Sequence, residues 1–312
     1  MKILITGALG HIGSRLIRYL PEIFPRAEYL LLDNLFSQRY CSLFNLPGRY
    51  NYKFLEEDIL NAPLEERFAN VDTVIHLAAI TDAAGSFKNK ALVEKVNREG
   101  TERVARACAE CGASLIFIST TSVYGSQKNI VDEDCEENEL VPQSPYAATK
   151  LQSEKKLKAL SDSMGLKYVI LRFGTIFGTS MGMRFHTAIN KFCWQAINGQ
   201  ALTVWKTAVN QKRPYLELGD AVDALGFFIQ RNIFDCSIYN VLSVNATVNS
   251  VVEVIKEHIP NLSINYVDEE IMNQLSYEVL NNRIKSLGFT AKGALGQGIG
   301  ETIEFLRAIY KR

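Results

Sequence analysis

The stretch ITGALGHIGSRL, residues 5–16, decides how the chain is read. An apolar run closes at Thr6, glycines follow at Gly7, Gly10 and Gly13, and an amphipathic run begins. Glycines at this spacing let the backbone turn sharply from a strand into a helix. They also let N–H groups and the helix N-terminus approach a pyrophosphate closely. The spacing alone is weak evidence, but the next apolar run ends in LLLDN, which puts Asp33 about 20 residues past the loop, where an acid receives the hydroxyls of an adenosine ribose. A carboxylate there repels a 2′-phosphate, so these residues predict NAD rather than NADP as cofactor.

Outward from this loop, apolar runs alternate with amphipathic ones. Strands are expected at residues 2–6, 28–33, 53–57, 73–77, 114–119 and 168–172, and helices at 11–20, 64–68, 91–109 and 145–163. Strand and helix in strict alternation predict an α/β fold, a Rossmann-type doubly wound parallel sheet. After residue 173 the pattern loosens into a helix over 184–200, a strand in ALTVW (201–205), a helix over 219–230 and a mostly helical end with a strand near 263–267. This predicts an NAD-binding domain of residues 1–172 plus about 217–242 and a smaller, mixed α/β substrate-binding domain of about 173–216 plus 243–312, with the site in the cleft between them.

Composition excludes several functions. Lys plus Arg and Asp plus Glu both total 34 in 312 residues, so no excess of basic charge points to nucleic acid or an anionic membrane. The N-terminal MKILITG has neither the apolar core nor the cleavage site of a signal peptide, and no later apolar run is long enough to span a bilayer, so the chain is expected to be cytoplasmic. The cysteines Cys41, Cys108, Cys111, Cys135, Cys193 and Cys236 are too sparse for a disulfide framework. Cys108 and Cys111 form a CxxC inside a helical run with no second pair to complete a zinc site, so no metal is expected.

The chemistry is concentrated in SPYAATK, residues 144–150. Ser144 can cap a helix that starts at Pro145, and Tyr146 and Lys150 then share one face. A phenol with a pKa near 10 is a poor base at neutral pH; a neighbouring ammonium, helped by a cationic nicotinamide, stabilises the phenolate and brings that value down. Tyr146 would thus serve as acid/base for a hydroxyl undergoing oxidation. Upstream, the strand expected in LIFISTTSVYG ends in Ser119, Thr120, Thr121 and Ser122. At the carboxyl end of a strand in a doubly wound sheet, these hydroxyls face the same crevice and can bind the substrate oxygen and relay its proton.

Taken together, TGALGHIGS, LLDN, EEDI, HLAA at 76–79, VNREGT at 96–101, STTSVYG, SPYAATK and LRFGTIFG resemble the extended short-chain dehydrogenase/reductase family, specifically its NAD-dependent epimerase/dehydratase group acting on nucleotide sugars. The motifs cover the first 178 residues in the family's order, with weaker likeness through INGQALTVW, RPYLELGDAVDA and YNVLSVNATV. The resemblance implies Thr120, Tyr146 and Lys150 as catalytic residues. It implies Gly7, Gly10, His11, Ile12, Gly13, Asp33 and Asn34 around the cofactor, with Asp58 and Ile59 by the adenine. Leu77, Ala78 and Ala79 would lie along the pyrophosphate and ribose, Ser119 would be a further cofactor contact, and Asn97 would steady the active-site helices. Arg213 matches an arginine that grips the nucleotide diphosphate in relatives, where a guanidinium fork suits phosphate oxygens.

Departures from the family pattern narrow the activity. Relatives that dehydrate sugars follow the active-site threonine with Asp and Glu, but this chain has Thr121 and Ser122, which disfavours 4,6-dehydration. Relatives that epimerise beside a ketone place a cysteine where Ser122 stands. Thr175 replaces a usual asparagine, and Arg184 and His186 are candidate anion contacts, His186 at the rim rather than as a catalyst. The resulting reading is a C4 epimerase of a nucleotide-diphosphate sugar that retains NAD and works through a transient 4-keto sugar. Two alternatives stand beside it: a 4-ketosugar reductase or dehydrogenase, and a non-enzymatic NAD-binding sensor on the same fold. The resemblance also implies a homodimer paired through the helices beginning near Ala91 and Pro145.

Overall fold

The structure, a computed structural model, describes residues 1–125, 128–268 and 276–308. Its first elements are β1 (Lys2–Thr6), α1 (His11–Ile23), β2 (Glu28–Asp33), β3 (Asn51–Glu56), α2 (Leu64–Phe68), β4 (Thr73–His76), α3 (Lys90–Glu94), α4 (Gly100–Cys111), β5 (Ser114–Thr120) and β6 (Ile130–Val131). There follow α5 (Pro145–Met164), β7 (Tyr168–Phe173), β8 (Thr175–Phe177), α6 (Ala188–Ile197), β9 (Leu202–Trp205), β10 (Lys212–Glu217), α7 (Leu218–Arg231), β11 (Ile238–Val241) and β12 (Val244–Thr247). The last are α8 (Val248–His258), β13 (Ile264–Val267), β14 (Glu278–Val279), α9 (Asn282–Ser286) and α10 (Leu295–Arg307).

Seven parallel strands form one sheet in the order β3-β2-β1-β4-β5-β7-β11, the doubly wound arrangement expected. Alternate residues of each strand enter opposite layers, as a strand's two-residue period requires. Ile3, Ile5, Ile116 and Leu171 pack with Leu16, Ile17 and Leu20 of α1 and Leu225 and Phe228 of α7. On the other face Leu4, Val74, Leu115 and Ile170 pack with Phe68, Val104, Cys108, Leu157 and Leu160. Cys108 is fully buried in that layer as a small apolar side chain.

β8, β10 and β12 form a second, three-stranded sheet, and β9 pairs with β13 in parallel. Phe192 of α6, Val251 and Ile255 of α8 and Ile303 of α10 close a separate core over these elements. No helix among the described residues is long and apolar enough to cross a membrane.

Three expectations change. The helix expected over 91–109 is broken: α3 passes through a π turn (Lys95–Glu99) before α4, so Asn97 lies at the irregularity. The helix expected from Arg184 begins at Ala188, because Asn190 turns its amide back on Gly178 and on the Arg184 carbonyl and holds 184–187 as a loop. The short strands β8, β10, β11 and β12 were not anticipated, being carried by pairing partners rather than by their own three to six residues.

Candidate active site

The glycine loop folds as its spacing requires. Gly7 has φ +65°, and a Cβ there would lie 2.6 Å from Ala78 N, so backbone position and space both call for glycine. A Cβ on Gly13 would meet Ala8 O at 2.5 Å. Gly10 caps α1 without a side-chain bond, which leaves the helix N–H groups at His11, Ile12 and Gly13 open to an anion. Asp33 closes the other side, accepting from Leu9 N at 3.0 Å and Leu35 N at 2.9 Å. Asn34 donates to Asp58 at 2.9 Å, and Ile59 is buried beside them. Leu77, Ala78 and Ala79, half-buried, continue from β4 along the loop. This uncapped cradle with a carboxylate at its far edge fits a dinucleotide.

Ser144 caps α5 by accepting from Ala147 N at 3.2 Å, and Pro145 occupies the first turn. The helix thereby presents Tyr146 and Lys150 on one face next to the end of β5. The Thr120 hydroxyl, which accepts from Ser122 N at 3.1 Å, also bonds the Tyr146 phenol. Burial raises the phenol's pKa, and Arg184 and the Thr120 hydroxyl act against that rise. Lys150, on the same face, is buried, donates to Ile118 O at 2.8 Å and sits 4.7 Å from the Phe117 ring, and the cation that acts on the phenol is Arg184. Burial pushes Lys150 down to about 7, opposed by Glu154.

Asn97 ties the elements together as expected. Its amide accepts from Ile80 N at 2.8 Å and donates to Ile80 O at 2.9 Å and to Thr149 at 3.3 Å. Ser119 differs from its expected role as a cofactor contact, because its hydroxyl donates inward to Glu154. Thr121 is 2% exposed and donates to Phe173 O at 3.3 Å, whereas Ser122 and Thr175 remain half-buried. Arg213 on β10 lies 5.9 Å from the Tyr277 ring, and Tyr277 donates to Thr121 O at 3.2 Å, which links this arginine to the active-site turn.

The loop at 178–187, of which periodicity assigned only 184–187 to a helix, supplies further contacts. Ser180 donates to His11 O at 2.9 Å, and Gly182 N donates to Ser14 at 2.9 Å, so the loop lies directly on the glycine loop. Arg184 donates to Thr81 through Nη1, and its Nε is buried without a hydrogen-bond partner among the described residues. His186 stands exposed at the rim, and desolvation of its ring together with the nearby Arg184 pushes its pKa down to about 4.

The NAD dependent epimerase/dehydratase family matches residues 3–241. The chain is 29% identical to the Arabidopsis thaliana "Trifunctional UDP-glucose 4,6-dehydratase/UDP-4-keto-6-deoxy-D-glucose 3,5-epimerase/UDP-4-keto-L-rhamnose-reductase RHM1" over 97% of its own length and 46% of that protein, so it spans about half of this relative. It is 33% identical to the Bacillus subtilis "Uncharacterized UDP-glucose epimerase YtcB" over 72% of this chain and 71% of the other. Among solved structures, MoeE5 in complex with UDP-glucuronic acid and NAD superposes with a TM-score of 0.86 at 26% identity, covering 99% of this chain and 100% of that one. The UDP-N-acetylglucosamine 4-epimerase of Methanobrevibacter ruminantium superposes with a TM-score of 0.87 at 25% identity, covering 99% and 98%. With the cradle, the Tyr146–Lys150 helix and the doubly wound sheet in place, the chain belongs to the NAD dependent epimerase/dehydratase family.

Proposed function

We propose that the chain is a C4 epimerase of a UDP-sugar and that the sugar it prefers is a uronic acid. The observation that carries the first part is the Tyr146 phenol bonded to Thr120 at the end of β5, with Thr121 and Ser122 where dehydrating relatives have an acidic pair. Gly7, Gly10, His11, Ile12 and Gly13 would hold the pyrophosphate of NAD, Asp33 and Asn34 the adenosine ribose, and Asp58 and Ile59 the adenine. NAD bound there supplies a reversible hydride acceptor.

The chain's own groups then handle protons. Tyr146 takes the proton from the substrate's C4 hydroxyl, directly or through Thr120, and returns it to the C4 oxygen when the keto group is reduced again. Lys150 and Arg184 offset the charge that develops on the phenol. Arg213 grips the diphosphate. The uronic acid is supported by Arg184, whose buried, unpartnered Nε offers a charge-assisted bond to a carboxylate, with Ser122 and Thr175 as neighbouring hydroxyl donors. UDP-glucuronic acid is the sugar nucleotide bound by MoeE5.

Residues 1–172 with 217–242 would form the cofactor domain and the remainder the substrate domain. Pairing of two copies through α3, α4 and α5 would make the homodimer; a monomeric mass in solution at micromolar concentration would refute it. The activity is tested by incubating the protein with UDP-glucuronic acid and UDP-glucose, without added NAD, and following the C4 epimer by NMR. The expected result is interconversion that vanishes in Tyr146→Phe with bound NAD unchanged. Near-normal turnover in that variant would sink the assignment, and net formation or consumption of NADH would select the reductase or dehydrogenase reading instead.

A further inference from the structure

Residues 276–279 return to the active site from far along the chain. β14 pairs in parallel with β6, with Glu278 opposite Ile130 and Val279 opposite Val131. Tyr277 N donates to Lys212 O at 3.3 Å, Val279 N donates to Asn245 Oδ1 at 3.0 Å, and Asn245 Nδ2 donates to Val279 O at 3.0 Å. The segment is thereby sewn between the sheet of β10 and β12 and the strand that follows the active-site turn. Tyr277 is 4% exposed, in a buried cluster with Val123, Tyr124, Leu151 and Leu242. Its hydroxyl reaches out of this apolar cluster to donate to Thr121 O at 3.2 Å.

The oxygen that Tyr277 holds belongs to the same peptide group as Ser122 N–H. A peptide group is planar and trans, so its oxygen and its N–H point in opposite directions and turn together. The oxygen accepts from Tyr277 and, at 3.2 Å, from Tyr124 N, while the N–H donates to Thr120 Oγ1 at 3.1 Å. The local bond from Tyr124 N closes the turn without help. The phenol, 156 residues away in sequence, adds a second constraint on where Ser122 N–H points. A hydroxyl offers one proton and two lone pairs. With one lone pair of Thr120 taken by Ser122 N–H, one proton and one lone pair remain, and a relay between substrate and Tyr146 uses both.

We propose that Tyr277 is a positioning residue for proton transfer: it holds the 121–122 peptide so that Ser122 N–H keeps the Thr120 hydroxyl directed at Tyr146 and the substrate. This rests on the reading of Tyr146 as the acid/base with Thr120 as its relay. In the oxidising step the O–H bond at C4 of the sugar breaks and its proton passes to Thr120 Oγ1, while the proton Thr120 held passes to the Tyr146 phenolate. The return step reverses both transfers. A Thr120 side chain turned out of line leaves the phenolate and the C4 hydroxyl without the group between them.

The test is Tyr277→Phe, which keeps the ring in its cluster and removes the hydroxyl alone. Thr121 O retains its bond from Tyr124 N, so no buried group is stranded and the variant should fold. Its kcat for C4 epimerisation should fall about 10- to 100-fold, with KM and bound NAD unchanged. Because Tyr277 acts through Thr120, the same change made in Thr120→Ala should cost little more, whereas a merely structural role lowers turnover by the same factor in both backgrounds. Hydrogen exchange at the Ser122 amide, read by NMR of NAD-bound protein labelled at serine nitrogen, should quicken about 5-fold or more in Tyr277→Phe. Replacing Tyr277 with para-aminophenylalanine, which restores a donor at the same point, should recover most of the turnover. Unchanged kcat, unchanged exchange, or equal losses with and without the Thr120 hydroxyl would overturn the proposal. Faster exchange in a protein that epimerises neither sugar would keep the hydrogen-bonded chain and reject the functional reading. Wild-type epimerisation with exchange and kcat unmoved in Tyr277→Phe would do the reverse.

Discussion

Gly182→Ala tests whether the loop at 178–187 holds the cofactor cradle in shape. A Cβ at Gly182 would lie 2.5 Å from Leu9 O, 2.7 Å from Gly10 O and 2.9 Å from Ser14 Oγ, so the loop must lift from the glycine loop to admit one methyl group. Two of these neighbours are backbone oxygens, which cannot swing aside. Lifting the loop strains or breaks the Gly182 N–Ser14 and Ser180–His11 bonds. Overpacking of this kind costs about 1–3 kcal/mol, and each lost hydrogen bond about 1 kcal/mol. With partial relaxation we expect about 2–3 kcal/mol in total, a melting temperature lower by on the order of 5 °C and NAD bound about 30- to 100-fold more weakly. The assay is thermal unfolding, together with the nucleotide released on denaturing freshly purified protein. Wild-type melting and full NAD occupancy in Gly182→Ala would refute the reasoning. The control is Gly296→Ala in α10, where nothing lies within 4 Å of the added methyl group. It should stabilise the protein by about 0.5–1 kcal/mol and leave NAD content unchanged.

Two further outcomes follow from the site. Arg184→Gln should lower kcat/KM for UDP-glucuronic acid about 30- to 150-fold and change that for UDP-glucose far less, since a charge-assisted bond to a buried carboxylate is worth about 2–3 kcal/mol; equal losses on both sugars would remove Arg184 as the carboxylate reader. Burial, with Lys150 adding to it, pushes His76 down to about 3 from an ordinary 6.5. The unfolded chain therefore takes up this proton first, and the stability His76 contributes is fully present above 6.5 and lost as pH falls toward 3. His76→Gln should flatten the decline of melting temperature between about pH 6.5 and pH 5, and an unchanged slope would contradict the assignment.

The cofactor half of the site was legible in the sequence because local rules govern it. Gly7 and Gly13 answer to backbone geometry within one turn, and Asp33 sits at the end of the next strand. Ser144, Pro145, Tyr146 and Lys150 were legible for the same reason, being one capped helix start. The groups packed around them were not. Glu154 and Arg172 meet only because α5 packs on β7, and nothing in SEKK or LRF advertises a buried pair. Ser119 looked like one of a row of hydroxyls at the cleft, yet β5 is still strand at that position and points its side chain inward. Arg184 fell within a run of helical periodicity, and only the Asn190 amide, folding back on Gly178 and Arg184 O, moves the helix start to Ala188. Strands as short as β8 and β12 are fixed by β10 between them, a partner that lies tens of residues away in sequence.

The central claim is that C4 inverts through a hydride that leaves and returns within one active site. Running the reaction on UDP-glucuronic acid in D2O and reading the product by NMR tests it most directly. The account predicts a C4 epimer with hydrogen, not deuterium, at C3, C4 and C5, formed without added NAD. Deuterium at C3 or C5, or turnover that depends on added cofactor, would contradict it.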